Sequence, residues 1–252
     1  MYGWKGRIGV LIPHRNTTTE PEFARMIPEG VSIHTARMIL RDVTPDALLE
    51  MEEEIYKGAT VIKDVNPDLI VLCCTSGSFV GGLGYDQKLI EKITALTGVP
   101  AITTSTAVIE TLRFLKVKKV AIATPFTDEL NKKESDFIEA HGIKVTKIRG
   151  LGYAQAVTNY PLAMKPTSGI GLLPPEVAYR LALDVNSADA DGIFISCANF
   201  RTIDIIEALE KNTGKPVITS NQATLALTLK AMGIKEKIEG YGSLLTGAFS
   251  RS

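Results

Sequence analysis

The sequence is poor in the side chains that bind metals or form cross-links, with three cysteines and three histidines in 252 residues. Three thiols cannot build a disulfide framework for a chain of this length, and without an export signal they are expected to stay reduced. Metal-ligand spacing is missing as well, because Cys73 and Cys74 are adjacent and His14, His34 and His141 fall in no ligand pattern. Neither a metal nor another cofactor is therefore expected.

An excess of charge of one sign is also lacking. Lys and Arg number 28 and Asp and Glu 28, so no net field favours nucleic acid or an anionic membrane surface, and a small molecule becomes the expected partner. The first apolar run, in MYGWKGRIGVLIPHRN, is too short for a signal-peptide core or a membrane span and is interrupted by Pro13, His14 and Arg15. A cytoplasmic protein without membrane association is expected.

What is present is an ordinary globular composition, 45% hydrophobic and 22% charged. The length suits two lobes of roughly 100 to 130 residues each. Short β-branched runs alternate with helix-like segments along the whole chain, at 7–13, 31–38, 69–74, 101–105, 119–124, 143–148, 192–197 and 216–220. That alternation predicts parallel α/β architecture. Helix signals fit between the runs: Thr19 with Glu22 at capping-box spacing, Thr44 followed by Pro45, and stop glycines at Gly98, Gly142 and Gly214. The proline- and glycine-rich stretch Asn159–Glu176 reads as a long ordered loop.

The two halves of the chain repeat one another. PDLIVLCCTS aligns without a gap on ADGIFISCAN, which sets Asp68 and Asp191 each six residues before Cys74 and Cys197. TGVPAITTSTA matches TGKPVITSNQA, and RIGVLIPHRNTTTEPEF matches KVAIATPFTDELNKKE in its passage from strand through proline to helix. A duplicated four-strand unit follows. The expected fold is two pseudo-symmetric lobes, each a four-stranded parallel sheet flanked by helices, with residues 1–110 plus 217–252 in the first lobe and 111–216 in the second.

Ligands of open α/β sheets bind beyond the carboxyl ends of the strands. Cys74 and Cys197 both sit at such ends, so two thiols are expected to converge on one cleft between the lobes. Cys73 aligns with Ser196 and points to the other face by strand alternation, which leaves it a packing residue. A thiolate is both a base and a strong nucleophile, and backbone N–H groups at a turn lower a thiol's pKa. Thr75, Ser76 and Gly77 after Cys74, and Ala198 and Asn199 after Cys197, are placed to supply such donors and to hold a carboxylate.

With these residues in place, the chain resembles the aspartate/glutamate racemase superfamily, and within it the maleate cis-trans isomerases and arylmalonate decarboxylases. The resemblance is carried by PHRNTTTEPEF, CTSGSF, STAVIETLRFLKVKKVAIATPFTDELN, DGIFISC, GKPVITSNQA and YGSLL. It implies that Asn16, beside Pro13, takes the place of the family's carboxylate-binding asparagine, whereas His14 and Arg15 depart from the pattern. Arg15 is either a clamp on a substrate carboxylate or a solvated loop residue. Both groups carry a tyrosine where Phe126 stands, so a hydroxyl is missing beside Thr127, and Asn159 corresponds to an isomerase asparagine of the lid region. The decarboxylases have glycine at the position of Cys74 and keep only the second cysteine, so possession of both favours isomerase or racemase chemistry.

The leading expectation is cis-trans isomerisation of maleate or a similar unsaturated dicarboxylate, with Cys74 adding to the double bond and Cys197 acting as acid and base. Racemisation of an acidic amino acid by two-thiol proton transfer is the second reading, and decarboxylation of a disubstituted malonate with Cys197 as proton donor the third. A dicarboxylate-binding module without chemistry is the non-enzyme alternative. A homodimer or homotetramer is expected for an α/β protein of this size.

Overall fold

Each of the apolar runs becomes a strand in a computed structural model of the chain, which describes residues 2–153 and 166–246. In the first half, β1 (Gly6–Pro13), β2 (Val31–Met38), β3 (Leu69–Leu72) and β4 (Ala101–Thr103) alternate with α1 (Thr19–Met26), α2 (Pro45–Glu50), α3 (Glu52–Ile62), α4 (Thr75–Phe79), α5 (Tyr85–Thr97) and α6 (Thr104–Phe114). In the second, β5 (Lys119–Thr124), β6 (Lys144–Gly150), β7 (Gly192–Ile195) and β8 (Val217–Thr219) alternate with α7 (Asp128–Ala140), α8 (Pro166–Leu172), α9 (Pro175–Val185), α10 (Ile206–Thr213) and α11 (Ser220–Ala231). The strand orders are β2-β1-β3-β4 and β6-β5-β7-β8, so each half makes the same parallel sheet.

The repeated aspartates have a structural explanation. Asp68 Oδ2 accepts the Arg7 amide at 2.8 Å, and Asp191 Oδ2 accepts the Lys118 and Lys119 amides at 3.0 and 2.9 Å. Each carboxylate thereby ties the start of the central strand pair in its own sheet, satisfying backbone donors at the strand entrance.

Four local expectations are corrected. The boundary at 216/217 is displaced, because β8 pairs with β7 from Ile193↔Val217 onward and residues 217–219 therefore belong to the second sheet. The boundary at 110/111 falls inside α6, since each repeat ends with a helix rather than with its last strand. The second half of the proline-rich stretch is helical: Pro166 and Pro175 open α8 and α9, where the missing N–H of proline costs nothing. Residues 154–165, including Asn159, lie outside the described residues. Finally, α1 starts one residue earlier than the capping-box reading supposed, with Thr18 as its N-cap, and its first amides are taken by Asn16 Oδ1, from Thr18 N at 2.8 Å and Thr19 N at 2.9 Å.

The apolar core runs through both lobes rather than forming one core per lobe. Ile8, Val10 and Ile12 of β1 share a cluster with Ala121, Ala123, Ile193 and Ile195 of the second sheet, while Leu11, Ile70 and Leu72 share another with Val120, Ile122 and Phe194. Strand alternation sends neighbouring residues to these two clusters. The helices that close each repeat, α6 and α11, pack on each other, with Thr224 Oγ1 donating to Thr104 Oγ1 at 3.1 Å. Among the described residues no helix is long and apolar enough to cross a membrane.

Candidate active site

The strand ends place the thiols. β3 stops at Leu72 and β7 at Ile195, so Cys74 and Cys197 each lie two residues beyond a strand. Their backbones then differ. Cys74 is extended (φ −146°, ψ 98°) and caps the short helix α4, whereas Cys197 has φ +100° and enters a turn closed by Phe200 N donating to Cys197 O at 3.0 Å.

Both cysteines border one cavity of about 40 Å³. Pro13, Asn16, Thr75, Ser76, Phe126, Ala198 and Asn199, which the sequence reading named as substrate-binding candidates, line it with them, and so does Arg15. Thr127 is not among the lining residues; it precedes α7, and its carbonyl accepts the Asn131 amide at 2.8 Å. Leu40, Val43 and Ile170 line an apolar side that sequence reasoning missed. Cys73 also touches the cavity, yet it is fully buried and packs in the cluster opposite to that of Cys74.

A buried polar network joins the two lobes at the thiols. Ser220 Oγ accepts the Thr75 hydroxyl at 2.9 Å and the Cys197 amide at 3.0 Å, so one hydroxyl holds a residue from each repeat. Asn199 Oδ1 accepts from Thr17 N at 3.0 Å and from Thr18 Oγ1 at 3.2 Å, and the Ala198 carbonyl accepts from Thr19 Oγ1 and Asn221 Nδ2, both at 3.0 Å. Asn16, expected as a carboxylate binder, has its oxygen occupied by backbone amides and one amide proton donated to Thr19 Oγ1 at 2.9 Å. Its remaining amide proton is the part available to the cavity. Ser220 and Asn221 escaped the sequence reading even though they follow β8 at the positions that match Thr104 and Ser105 of the first repeat.

The electrostatics depart from expectation. Burial pushes the Cys74 thiol up to about 11, against the lowering effect of the Gly77 amide and the Ser76 hydroxyl. Burial pushes Cys197 up to about 12; the Asn199 and Phe200 amides lower it, while Cys74 and Glu134 raise it. Ser76, Gly77 and Asn199 are donors that the turn sequences suggested and Phe200 is one that they did not, but desolvation outweighs all four and both cysteines rest as neutral thiols. Ionisation of Cys74 makes ionisation of Cys197 harder, so the pair carries at most one thiolate under ordinary conditions. Among the described residues, no group of three or more His, Cys, Asp or Glu is gathered for a metal ion.

The family model described as arylmalonate decarboxylase matches residues 8–245. A maleate isomerase from Pseudomonas putida is 28% identical over 255 residues, covering 96% of this chain and 98% of that protein. An arylmalonate decarboxylase from Bordetella bronchiseptica is 30% identical over 239 residues, covering 94% of this chain and 95% of that protein. Among solved structures, a cysteine-to-alanine variant of the maleate isomerase of Pseudomonas putida S16 with maleate superposes with a TM-score of 0.89 at 25% identity, over 98% of this chain and 99% of that one.

Proposed function

The chain belongs to the arylmalonate decarboxylase family, and from that premise we propose that it is a cofactor-independent maleate cis-trans isomerase. The observation that carries the proposal is the pair of thiols, one from each repeat, on a single cavity. A decarboxylase of the pattern described above needs only the second of them. The curated relatives named maleate isomerase support the same reading.

In the proposed reaction Cys74, as thiolate, adds to one olefinic carbon of maleate, and the π pair moves to the other carbon and onto its carboxylate. Cys197 delivers its proton to that carbon, which leaves a succinyl thioether joined by a single bond that can rotate. Cys197 then takes the proton back, the double bond re-forms in the trans geometry, and Cys74 departs as thiolate. Because both thiols rest neutral, Cys74 loses its proton before it adds; from then on one transferable proton and one negative charge pass between the sulfurs and the substrate, so the two sulfurs are never both thiolates, in keeping with their mutual repulsion. The Asn16 amide, Thr75, Ser76 and the amides of Ala198 and Asn199 hold the carboxylates and the developing enediolate.

One feature favours the decarboxylase as second reading: Leu40, Val43, Phe126 and Ile170 form an apolar wall suited to a hydrocarbon substituent. Proton NMR of the reduced protein with maleate in D2O decides between them, beside Cys74→Ser and Cys197→Ser. Fumarate formed by the wild type and lost with Cys74→Ser is the expected result. Absence of fumarate, with carbon dioxide released from an arylmalonate by wild type and Cys74→Ser alike, would replace the isomerase by the decarboxylase. The proposal extends to a homodimer or homotetramer in solution, which light scattering after gel filtration measures.

A further inference from the structure

Two buried carboxyl side chains occupy equivalent places in the repeats. Glu22 on α1 lies nine residues after Pro13, and Glu134 on α7 lies nine residues after Pro125. They are 5% and 1% exposed, in positions where an acidic side chain is costly without a purpose. Both reach the same turn. Glu134 Oε1 accepts the hydroxyl of Ser196, the residue before Cys197, at 2.5 Å. Glu22 Oε1 accepts the amides of Thr202 and Ile203, on the far side of the turn, at 2.8 and 3.3 Å, and Glu22 Oε2 accepts Asn221 Nδ2 at 2.6 Å. Asn221 in turn donates to the carbonyl of Ala198.

We propose that Glu22 and Glu134 are a pair of positioning residues that grip the Cys197 turn from its two sides. Their task follows from the backbone of Cys197. A non-glycine residue at φ +100° persists only where surrounding contacts over-determine it, and to the bonds already described at Cys197, Ala198 and Asn199 the two glutamates add holds at Ser196, Thr202 and Ile203. The same geometry aims the Asn199 and Phe200 amides at the Cys197 sulfur. Glu134 Oε2 has no hydrogen-bond partner, which a neutral carboxyl tolerates far better than a carboxylate; burial raises Glu134 to about 8 and Glu22 to about 7. The charged group that faces Glu22 is Asp204, itself paired with Arg25 at 2.7 Å, and the titratable group that faces Glu134 is Cys197.

This inference rests on Cys197 being a reacting thiol, but it is tested without any substrate. The reduced protein is alkylated with iodoacetamide at about pH 7, below both thiol midpoints, where the rate follows the small thiolate fraction, and modification of each cysteine is followed by mass spectrometry. Ser196→Ala, Glu134→Ala and Glu22→Gln are expected to slow alkylation of Cys197 about tenfold at this pH, where Glu134 is neutral and its removal takes away no charge, because loss of the turn amides from the sulfur lowers the thiolate fraction. Cys74 is expected to react as in the wild type. Glu134→Gln keeps an acceptor for Ser196 and is expected to restore most of the rate. If Ser196→Ala and Glu22→Gln leave Cys197 unchanged, or slow Cys74 equally, the proposal is overturned. Should a glutamate variant fail to fold, Ser196→Ala, which removes only a hydroxyl, gives the answer. Where maleate is turned over, the same variants lower kcat with little change in KM. Failure of maleate turnover with the alkylation pattern intact would sink the substrate assignment and leave this inference standing.

Discussion

Replacing each cysteine by alanine and by glycine should give opposite orders of stability at the two positions. Neither replacement keeps the sulfur, so the comparison within each position isolates the β-carbon. At Cys74, φ is −146°, ordinary extended backbone, and glycine is expected to be about 0.5–1 kcal/mol less stable than alanine because its unfolded chain has more freedom to lose. At Cys197, φ is +100°, where a β-carbon carries about 1–3 kcal/mol of strain. Subtracting the same entropic term leaves Cys197→Gly about 0–2.5 kcal/mol more stable than Cys197→Ala, centred near 1 kcal/mol. For a protein of this size the central value corresponds to a melting temperature roughly 2–4 °C higher. Urea unfolding of the four variants, with equal m-values as the check on two-state behaviour, measures it. If alanine equals or exceeds glycine at position 197, the backbone there is not strained and the reasoning about the turn fails with it.

Three further outcomes can be checked on the same protein. Ser220→Ala strands the Thr75 hydroxyl and the Cys197 amide in a buried place, so a stability loss of about 2 kcal/mol is expected, with turnover reduced about 10- to 100-fold; wild-type turnover would refute the bridging role. A β-carbon on Gly150 would lie 2.0 Å from the Phe126 carbonyl oxygen and 2.5 Å from Asn131 Nδ2, so Gly150→Ala should lose about 3 kcal/mol, and an unchanged thermal melt would contradict the packing of the cavity wall. Burial raises Glu22 to about 7 and Glu134 to about 8 from 4.5. Between pH 4.5 and 8 the unfolded chain therefore releases protons that the folded protein keeps, and stability falls as pH rises through that window. Since one unit of separation is about 1.4 kcal/mol, the fall is on the order of several kcal/mol, and melting temperatures of Glu134→Gln at pH 5 to 9 should show a flatter curve than the wild type.

Most of the fold was legible because its information is local. Parallel strands buried on both faces are short continuous apolar runs, and helices that end on glycine announce their stops, as Gly98 and Gly214 do with φ +72° and +67°. The repeat then located both thiols without any structure. What the sequence hid is long-range. Glu22 stands at capping-box spacing from Thr19, yet its carboxyl reaches Thr202, 180 residues away. Ser220 is unremarkable in sequence and becomes the junction of the two turns only when α11 is packed against the first lobe. Leu40 and Val43 belong to the connection after β2, and no period marks them as cavity wall. Ser76, Gly77 and Asn199 could be read from the turns as thiol donors, whereas Phe200 could not, and the burial that outweighs them belongs to the assembled cavity.

The ways in which the duplication is broken bear on the chemistry. Thr75 and Ser76 follow the first cysteine, and Ala198 and Asn199 follow the second; Cys74 caps a helix, while Cys197 sits in a strained turn. The carboxyls of both repeats, Glu22 and Glu134, are engaged with the second turn. A racemase that moves a proton between two faces of one carbon is served by two thiols of similar character, because forward and reverse reactions exchange their roles. An isomerase assigns one sulfur to bond with carbon and the other to carry the proton, so the two need different surroundings: the nucleophile must approach and leave, and the proton carrier must hold a fixed position against the substrate. The clamped turn suits the proton carrier and the unstrained helix cap suits the nucleophile. That division supports Cys74 as the sulfur that forms the covalent bond, and it predicts that trapping with an electrophilic maleate analogue labels Cys74 in the wild type and still labels it in Cys197→Ser.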